Sequence, residues 1–342
     1  MAALDTFGHG PADFRAAARL DPFVWSGRVR VSRTHASVRL KEAIVSADNT
    51  PARTAAKYPL KHRLPWTTDM IIQTAPAGTP RLAVMMHEHT ALCGQFARAF
   101  GNDQFESPSP LDLMIYVIEH HDAGWAEFDR EPVTDEKTGL PYNLVETPAE
   151  YITVTSRLSP DFNSRHHSFC GLISSMHSWG LYNGRYGLST LVLIDKIPAE
   201  DRPLADRMLA GELDRQKRLK EEMKGNLQLT GLLTEDKLFQ NYKQLQFIDT
   251  LALYFNRIHR DDRGSQTFAN VPLSAKKDTA VVIEPREAGV YALSPYPFAP
   301  NGGEFAYAGR RIGPRNDASG ENWRKILKEA PTEWEHFRFV RG

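Results

Sequence analysis

Five residues of the types that bind metal ions lie on the apolar stripes of predicted helices. They are His89, His121, Asp122, His177 and Asp249. Burying an imidazole or an ionised carboxylate is costly unless a partner compensates it, and a divalent cation binds both kinds of group. Each residue alone is more often a hydrogen-bonded core residue than a ligand. Together they predict a centre holding one or two divalent metal ions, Mn, Fe or a similar metal.

The adjacent His121 and Asp122 close an apolar segment that begins at Leu111. Positions three and four apart lie on one side of a helix, so a helix through this segment places the pair on the face of Leu111, Met114 and Ile118. A polar pair therefore occupies positions where the pattern calls for leucine. This stretch is the strongest chemical signal in the chain.

The other ligand types lie on three further predicted helices. His89 belongs to a helix that opens near His87, and His177 shares a stripe with Phe169 and Leu172. Asp249 lies in the middle of a long helix over 234–258, where an unpaired aspartate is improbable. Four helices must therefore converge if these residues form one site.

Composition excludes several functional classes. The 342 residues carry 42 basic and 42 acidic side chains, so no net charge favours nucleic acid or an anionic membrane, and a small-molecule substrate is expected. No run approaches the roughly 18 apolar residues of a membrane span. The two cysteines, Cys93 and Cys170, lie in apolar helical patterns, which is typical of buried thiols in a reducing compartment. We expect a soluble, cytoplasmic protein, and the sequence is compatible with a homo-oligomer.

The order His, His-Asp, Asp on successive helices resembles the HD superfamily of metal-dependent phosphohydrolases over residues 85–260. The resemblance implies that His89, His121, Asp122 and Asp249 bind a metal ion. His177 resembles the intervening histidines that hold a second ion in two-metal members. Two neighbouring histidines are further candidates for that second ion, provided that they approach the site from a loop: His166 and His167.

The chain more closely resembles an uncharacterised family, domain of unknown function 3891, over residues 69–340. The shared elements are His89-Thr-Ala-Leu-Cys-Gly-Gln95, His121-Asp-Ala-Gly-Trp125, Gly139-Leu-Pro141, Ser174-Ser-Met-His177, Asp249-Thr-Leu-Ala-Leu253 and Pro295-Tyr-Pro-Phe298. This family carries no known reaction, so the resemblance predicts a common fold and site without naming a substrate.

The HD resemblance implies a hydrolase in which metal-activated water attacks a small phosphate ester or related molecule, with Asp122 and His177 as catalytic residues. Many HD enzymes have a lysine directly after the glycine of this turn, where its ammonium meets a substrate phosphate. Trp125 occupies that position here and suggests an aromatic wall for a less charged substrate. Asp129 is a second candidate substrate-binding residue. The alternatives are an HD-type non-haem di-iron oxygenase acting on a small metabolite and a non-catalytic, metal-stabilised binding module.

The predicted fold is mainly α, an HD-like helical bundle with a small appended antiparallel β-sheet. We expect an N-terminal extension over 1–66, a helical metal-binding domain over 67–262 and a β-rich element over 263–342 that packs on the helices. Short β-type runs between Pro and Gly clusters indicate the strands of this last element, and a hairpin at 69–86 is expected to complete them. No repeat and no low-complexity tract interrupts the chain.

Overall fold

A computed structural model describes most of the chain beyond the N-terminal region. The described residues are 70–76, 78–126, 141–144, 147–300, 303–313 and 323–342, without the side chain of Arg324. The predicted extension at 1–66 and the candidate residue Asp129 lie outside this part of the chain.

In addition to short 3₁₀ helices, the described residues form eight α-helical segments. These are α1 (Met86–Ala99), α2 (Leu111–Glu119), α3 (Ala149–His166), α4 (Ser168–Tyr182), α5 (Gly184–Gly187), α6 (Arg202–Met223), α7 (Glu235–Arg257) and α8 (Trp323–Glu329). Within the single turn of α5, Arg185 and Tyr186 have left-handed backbone angles, with φ of 52° and 59°. Helices α1 and α7 coincide closely with the predicted amphipathic stretches because their apolar residues recur at helical spacing.

Seven strands complete the described structure. They are β1 (Ile71–Ile72), β2 (Arg81–Val84), β3 (Gln266–Ser274), β4 (Lys277–Pro285), β5 (Val290–Ser294), β6 (Glu304–Ile312) and β7 (Thr332–Arg341). All seven belong to one sheet, in the order β1-β2-β6-β7-β5-β4-β3. Strands β1 and β2 form the hairpin predicted at 69–86, and β2 pairs with β6, so the hairpin completes the sheet of the C-terminal strands as expected.

The predicted fold class was wrong. The sheet is not a small antiparallel appendage on an HD-like helical bundle but a large, mixed, curled sheet that forms a half-barrel. Strand β5 pairs with β7 in parallel, and Arg81 of β2 pairs with Ile312 of β6. Hydrophobic periodicity reports on neighbouring residues only, so pairing between strands at opposite ends of the chain is invisible to it.

The buried core is shared between helices and sheet, so it is not all-helical as predicted. Phe96 of α1 lies 4.8 Å from Phe305 of β6, measured between ring centroids. Phe255 of α7 stacks on Phe337 of β7, with ring centroids 3.9 Å apart and an interplanar angle of 8°. These aromatic contacts fix α1 and α7 against the sheet, and aromatic pairs of this kind stabilise by about 0.5–1.5 kcal/mol beyond their burial. The helices that carry His89 and Asp249 are therefore held by the sheet.

Helix α3 was not predicted from the sequence. Its buried face is mostly small and polar and includes Thr155, Ser156, Ser159 and Asn163, with Pro160 inside the helix. Such residues favour caps and turns over helix interiors, so local propensity argues against a helix here. Packing against α4 and against the turn that follows α2 stabilises α3 instead.

None of the described helices combines the length and the apolar composition required to cross a membrane.

Candidate metal centre

Four separate segments bring the predicted ligands together in the interior. Helix α1 supplies His89, the turn after α2 supplies His121 and Asp122, α4 supplies His177 and α7 supplies Asp249. The three histidines and Asp249 are buried, whereas the Asp122 side chain retains 16% exposure. The sequence analysis thus named five side chains that the tertiary structure places in one cluster, which we call the His/Asp cluster.

The His-Asp pair lies in a turn and not on the predicted helix. Helix α2 ends at Glu119, and a short 3₁₀ helix over Ala123–Trp125 follows the pair. Helix α3 holds this turn from the other side. The amide of Gly124 donates to Oγ of Ser159 at 2.9 Å, and Nδ2 of Asn163 donates to the carbonyl of His120 at 2.7 Å. The polar face of α3 therefore positions the pair.

Three contacts join the ligand-type atoms, two at the distance expected around a shared ion and one slightly longer. Nε2 of His89 is 3.3 Å from Oδ1 of Asp249, and Nε2 of His121 is 3.8 Å from that same oxygen. Nε2 of His121 is also 3.3 Å from Oδ2 of Asp122. Nitrogen and oxygen ligands bound at about 2.1 Å lie roughly 3.0–3.5 Å apart around one ion. His177 adjoins this group, with its ring centroid 5.0 Å from that of His121.

Hydrogen bonds turn the lone pairs of two histidines towards the carboxylates. Nδ1 of His121 lies 2.8 Å from the carbonyl oxygen of Ile118, which can only accept, so Nδ1 carries the proton. Nδ1 of His89 likewise donates to Oδ1 of Asn256 at 2.9 Å. In the neutral form of each ring, Nε2 is then an acceptor, and it faces carboxylate oxygens. This is the arrangement of metal-binding histidines, whose other nitrogen is held by an outer partner.

The carboxylates dominate the electrostatics of the His/Asp cluster. Burial alone would lower the pKa of His121, but the charges of Asp122 and Asp249 raise it well above its usual value. Burial would raise the pKa of Asp249, and its contacts with His121 and His89 lower it well below the ordinary range. Burial and the neighbouring His121 lower the pKa of His177 to about 4, so its ring is neutral near pH 7. The site therefore attracts positive charge: the ring of His177 is neutral, whereas His121 holds a proton that a divalent ion would displace.

These residues fit a divalent cation. Nε2 of His121 is buried and makes no hydrogen bond to any of the described residues, although two carboxylates lie close to it. Asp122 and Asp249 together bring two negative charges into the interior, where an uncompensated charge costs several kcal/mol. A divalent ion would neutralise both charges and bind the orphaned nitrogen. The donor set is one that Mn, Fe and Zn accept.

A pocket of about 440 Å³ adjoins the cluster. Asp122 is the only member of the His/Asp cluster that lines it. The remaining lining residues are Met86, His87, Thr90, Ala91, Glu119, His120, Ala123, Ala126 and Phe162. None of these described residues is a lysine or an arginine. The pocket therefore offers an apolar surface with a few polar groups, and it reaches the cluster at Asp122.

The structure places other predicted site residues away from the cluster. His166 ends α3 and stacks on Tyr116 with ring centroids 3.5 Å apart. His167 accepts a hydrogen bond from the amide of Phe169 at 3.0 Å and so caps α4. Neither joins a potential metal-binding group among the described residues. Trp125 is 5% exposed within the hydrophobic core and does not line the pocket.

Three polar residues that contact the cluster were not predicted as site residues from the sequence. Asn256 binds His89, and the Gln246 side-chain amide hydrogen-bonds to Nδ1 of His177. Cys93 Sγ lies 3.8 Å from Nε2 of His89. A signal for each was present: Gln246 and Asn256 share the buried face of Asp249 on α7, and Cys93 follows His89 by one helical turn.

Comparison with known proteins identifies a family but no activity. No curated protein and no solved structure matches the chain. The family model described as "Protein of unknown function (DUF3891)" matches residues 70–313, which include every member of the His/Asp cluster and six of the seven strands. The match covers more than half of the sequence, and the chain therefore belongs to the DUF3891 family.

Proposed function

We propose that the protein is a metal-dependent hydrolase of the HD type that acts on a small phosphate ester or related molecule. The observation that supports this most strongly is the opening of the His/Asp cluster onto a pocket at Asp122. A structural metal site is coordinatively closed, whereas a catalytic site keeps a position for water or substrate. Asp122 is partly exposed on the pocket wall while His89, His121 and Asp249 are buried behind it.

Each residue of the cluster has a distinct task in this proposal. His89, His121, Asp122 and Asp249 would hold the ion, which when bound would supply Lewis acidity and lower the pKa of water. Asp122 also faces the pocket and is ionised, because His121 outweighs the effect of burial and lowers its pKa. Its carboxylate is therefore available to orient a water molecule and to accept a proton at an Oδ atom. His177, neutral and fixed by Gln246, adds a further nitrogen donor.

His120 provides a proton-transfer group at the pocket wall. Its Nδ1 donates to the carbonyl of Tyr116 at 2.8 Å, so Nε2 of the neutral ring is an acceptor. Stacking on Tyr116, with centroids 4.2 Å apart, fixes the plane of the ring. General acid-base catalysis requires a group of this kind near the reacting atoms, and histidine serves most often.

The pocket favours a small substrate of low charge. Its described lining contains no lysine or arginine to bind a phosphate, and Trp125 replaces the lysine that many HD enzymes have. A phosphoryl or carbonyl oxygen of the substrate would depend on the ion itself for charge compensation. Met86, Ala91 and Phe162 present apolar surface to the remainder of the substrate.

Hydrolysis is favoured over oxygen activation by the positions of the remaining histidines. A di-iron oxygenase requires two iron sites, and the sequence offered only His166 or His167 to complete the second. In the structure His166 stacks on Tyr116, and His167 caps α4. Hydrolysis needs only the ligands that the cluster provides.

The proposal is tested by reconstituting the purified protein with Mn and separately with Fe under air. Each form is screened against generic phosphate and carboxylate esters and for oxygen uptake with small metabolites. Asp122→Asn should lower ester turnover by about a hundredfold or more, since it removes the charged group at the opening. Asp112→Asn is the matched control, because Asp112 is exposed on α2 and should keep wild-type turnover.

The result that would favour the oxygenase over the hydrolase is oxygen consumption coupled to product formation in the iron form only. In that case no metal form would turn over an ester. Metal binding without either reaction would favour a metal-stabilised binding module. Equal turnover in Asp122→Asn and wild type would remove Asp122 from the mechanism.

A further inference from the structure

We propose that Cys93 is a thiolate ligand of the metal centre, which makes the centre selective for thiophilic ions such as Fe(II), Co(II) or Zn(II). The inference rests on the metal centre of the proposed function and adds the class of ion. A centre built only from histidine and aspartate also accepts Mn, whereas a thiolate shifts the preference towards softer metals.

Cys93 lies within ligand distance of the cluster. Its Sγ is 3.8 Å from Nε2 of His89, and Sγ and one ring nitrogen from each of His89 and His121 all lie within 4.8 Å of one another. Sulfur bound at about 2.3 Å and nitrogen bound at about 2.0 Å lie roughly 3.5 Å apart around a tetrahedral ion. The observed distance needs only a small adjustment of the thiol.

A second observation points to a ligand at the same place. His121 belongs to this group and is 1% exposed, and its Nε2 atom has no hydrogen-bond partner among the described residues. Nε2 of His89 is an acceptor because Nδ1 donates to Asn256. Oδ1 of Asp249 lies 3.3 Å from Nε2 of His89 and 3.8 Å from Nε2 of His121. A cation bound by all four groups would satisfy each of them.

The other cysteine of the chain has a different environment. Cys170 is also buried, but its Sγ donates a weak hydrogen bond to the carbonyl of Leu113 at 3.4 Å. The potential metal-binding groups found in the described part of the chain do not include it. Cys170 is thus an ordinary buried thiol and an internal control for Cys93.

Metal binding by Cys93 exchanges the proton of the thiol for the metal ion. The thiol loses its proton to solvent when the ion binds, as expected for a cysteine ligand, and the protonated ring of His121 loses one as well. His89, His121 and Asp249 then contribute two neutral nitrogens and one carboxylate. Asp122 and His177 belong to a second group of ligand types that shares His121, and Asp122 lines the pocket whereas Cys93 does not.

Cobalt(II) is the probe for this assignment. Full-length wild type, Cys93→Ser and Cys170→Ser are freed of metal and titrated with Co(II), and the near-ultraviolet absorption is recorded. A sulfur ligand gives an intense sulfur-to-cobalt charge-transfer band. Wild type and Cys170→Ser should show this band at one equivalent of bound ion, and Cys93→Ser should lose it. Zn(II) affinity measured by competition should fall about tenfold or more in Cys93→Ser only.

X-ray absorption of the zinc-loaded wild type gives a test that needs no variant. It should show one sulfur neighbour at about 2.3 Å together with nitrogen and oxygen neighbours. Bound ion with no sulfur neighbour, or a charge-transfer band that persists in Cys93→Ser, would refute ligation by Cys93 and leave the proposed function intact. Wild type that binds no metal would refute both proposals.

Discussion

Replacing Gly124 by alanine tests whether α3 positions the His-Asp turn. A Cβ atom at this position would lie 2.4 Å from the carbonyl oxygen of Thr155 and 2.8 Å from both the amide nitrogen and Oγ of Ser159. Two of these atoms belong to the α3 backbone, so no side-chain rotation relieves the overlap. The turn and α3 must separate, and the hydrogen bond from Gly124 to Ser159 is weakened.

The expected destabilisation follows from these contacts. Overpacking a buried site costs about 1–3 kcal/mol, and the lost hydrogen bond adds about 1 kcal/mol. Gly124→Ala should therefore lower the free energy of unfolding by about 2–4 kcal/mol. Displacement of the turn should also move Asp122 away from the other ligands and reduce metal occupancy.

Denaturant unfolding of metal-free protein measures the first effect, and elemental analysis after reconstitution measures the second. Gly211→Ala is the matched control, since nothing lies within 4 Å of a Cβ atom at this exposed position in α6. That control should stabilise the protein by about 0.5–1 kcal/mol, because alanine favours a helix interior. Gly124→Ala with wild-type stability and full metal content would contradict the role given to α3.

Two further predictions concern buried charges outside the metal centre. Arg263→Met should lower the free energy of unfolding, measured with denaturant, by about 3–5 kcal/mol because it leaves Glu335 without its buried partner. Arg286→Met removes an exposed ion pair and should change the free energy of unfolding by less than about 1 kcal/mol. Burial raises the pKa of Glu212 although Arg215 opposes it, so its ionised form is disfavoured in the folded state. The stability of wild type relative to Glu212→Gln should therefore be greatest below pH 4.5 and should fall as pH rises through the folded-state pKa. A stability difference between wild type and Glu212→Gln that does not change with pH would contradict the prediction for Glu212. Equal destabilisation by Arg263→Met and Arg286→Met would contradict the prediction for Arg263.

Local periodicity predicted most helices and the identity of the ligand types. An apolar stripe at helical spacing defines the buried face of α7, so a polar residue such as Asp249 on that face stands out in the sequence alone. The same reasoning located His89 and His177; it also singled out His121, although that residue lies in the turn after α2. It failed where local preference and structure disagree, as in α3, whose threonines, serines and proline are held helical by packing.

The sheet was determined by contacts between distant parts of the chain. Short strands carry a weak local signal, and nothing near Arg81 indicates that its partner is Ile312. The hairpin and the C-terminal strands pair with each other although the helices separate them in the sequence. The sheet is therefore curled and mixed and is not a small appendage. Interstrand pairing depends on long-range geometry, which periodicity does not report.

The sequence by itself determined which side chains of this protein are available as ligands, because residue type and helical face are local properties. Only the tertiary structure decided which atoms meet. It placed Asn256 against His89, brought Cys93 within 3.8 Å of the same ring and kept His166 on Tyr116. Distances between atoms on different helices depend on how those helices pack, and here α1 and α7 are packed by the aromatic side chains of the sheet.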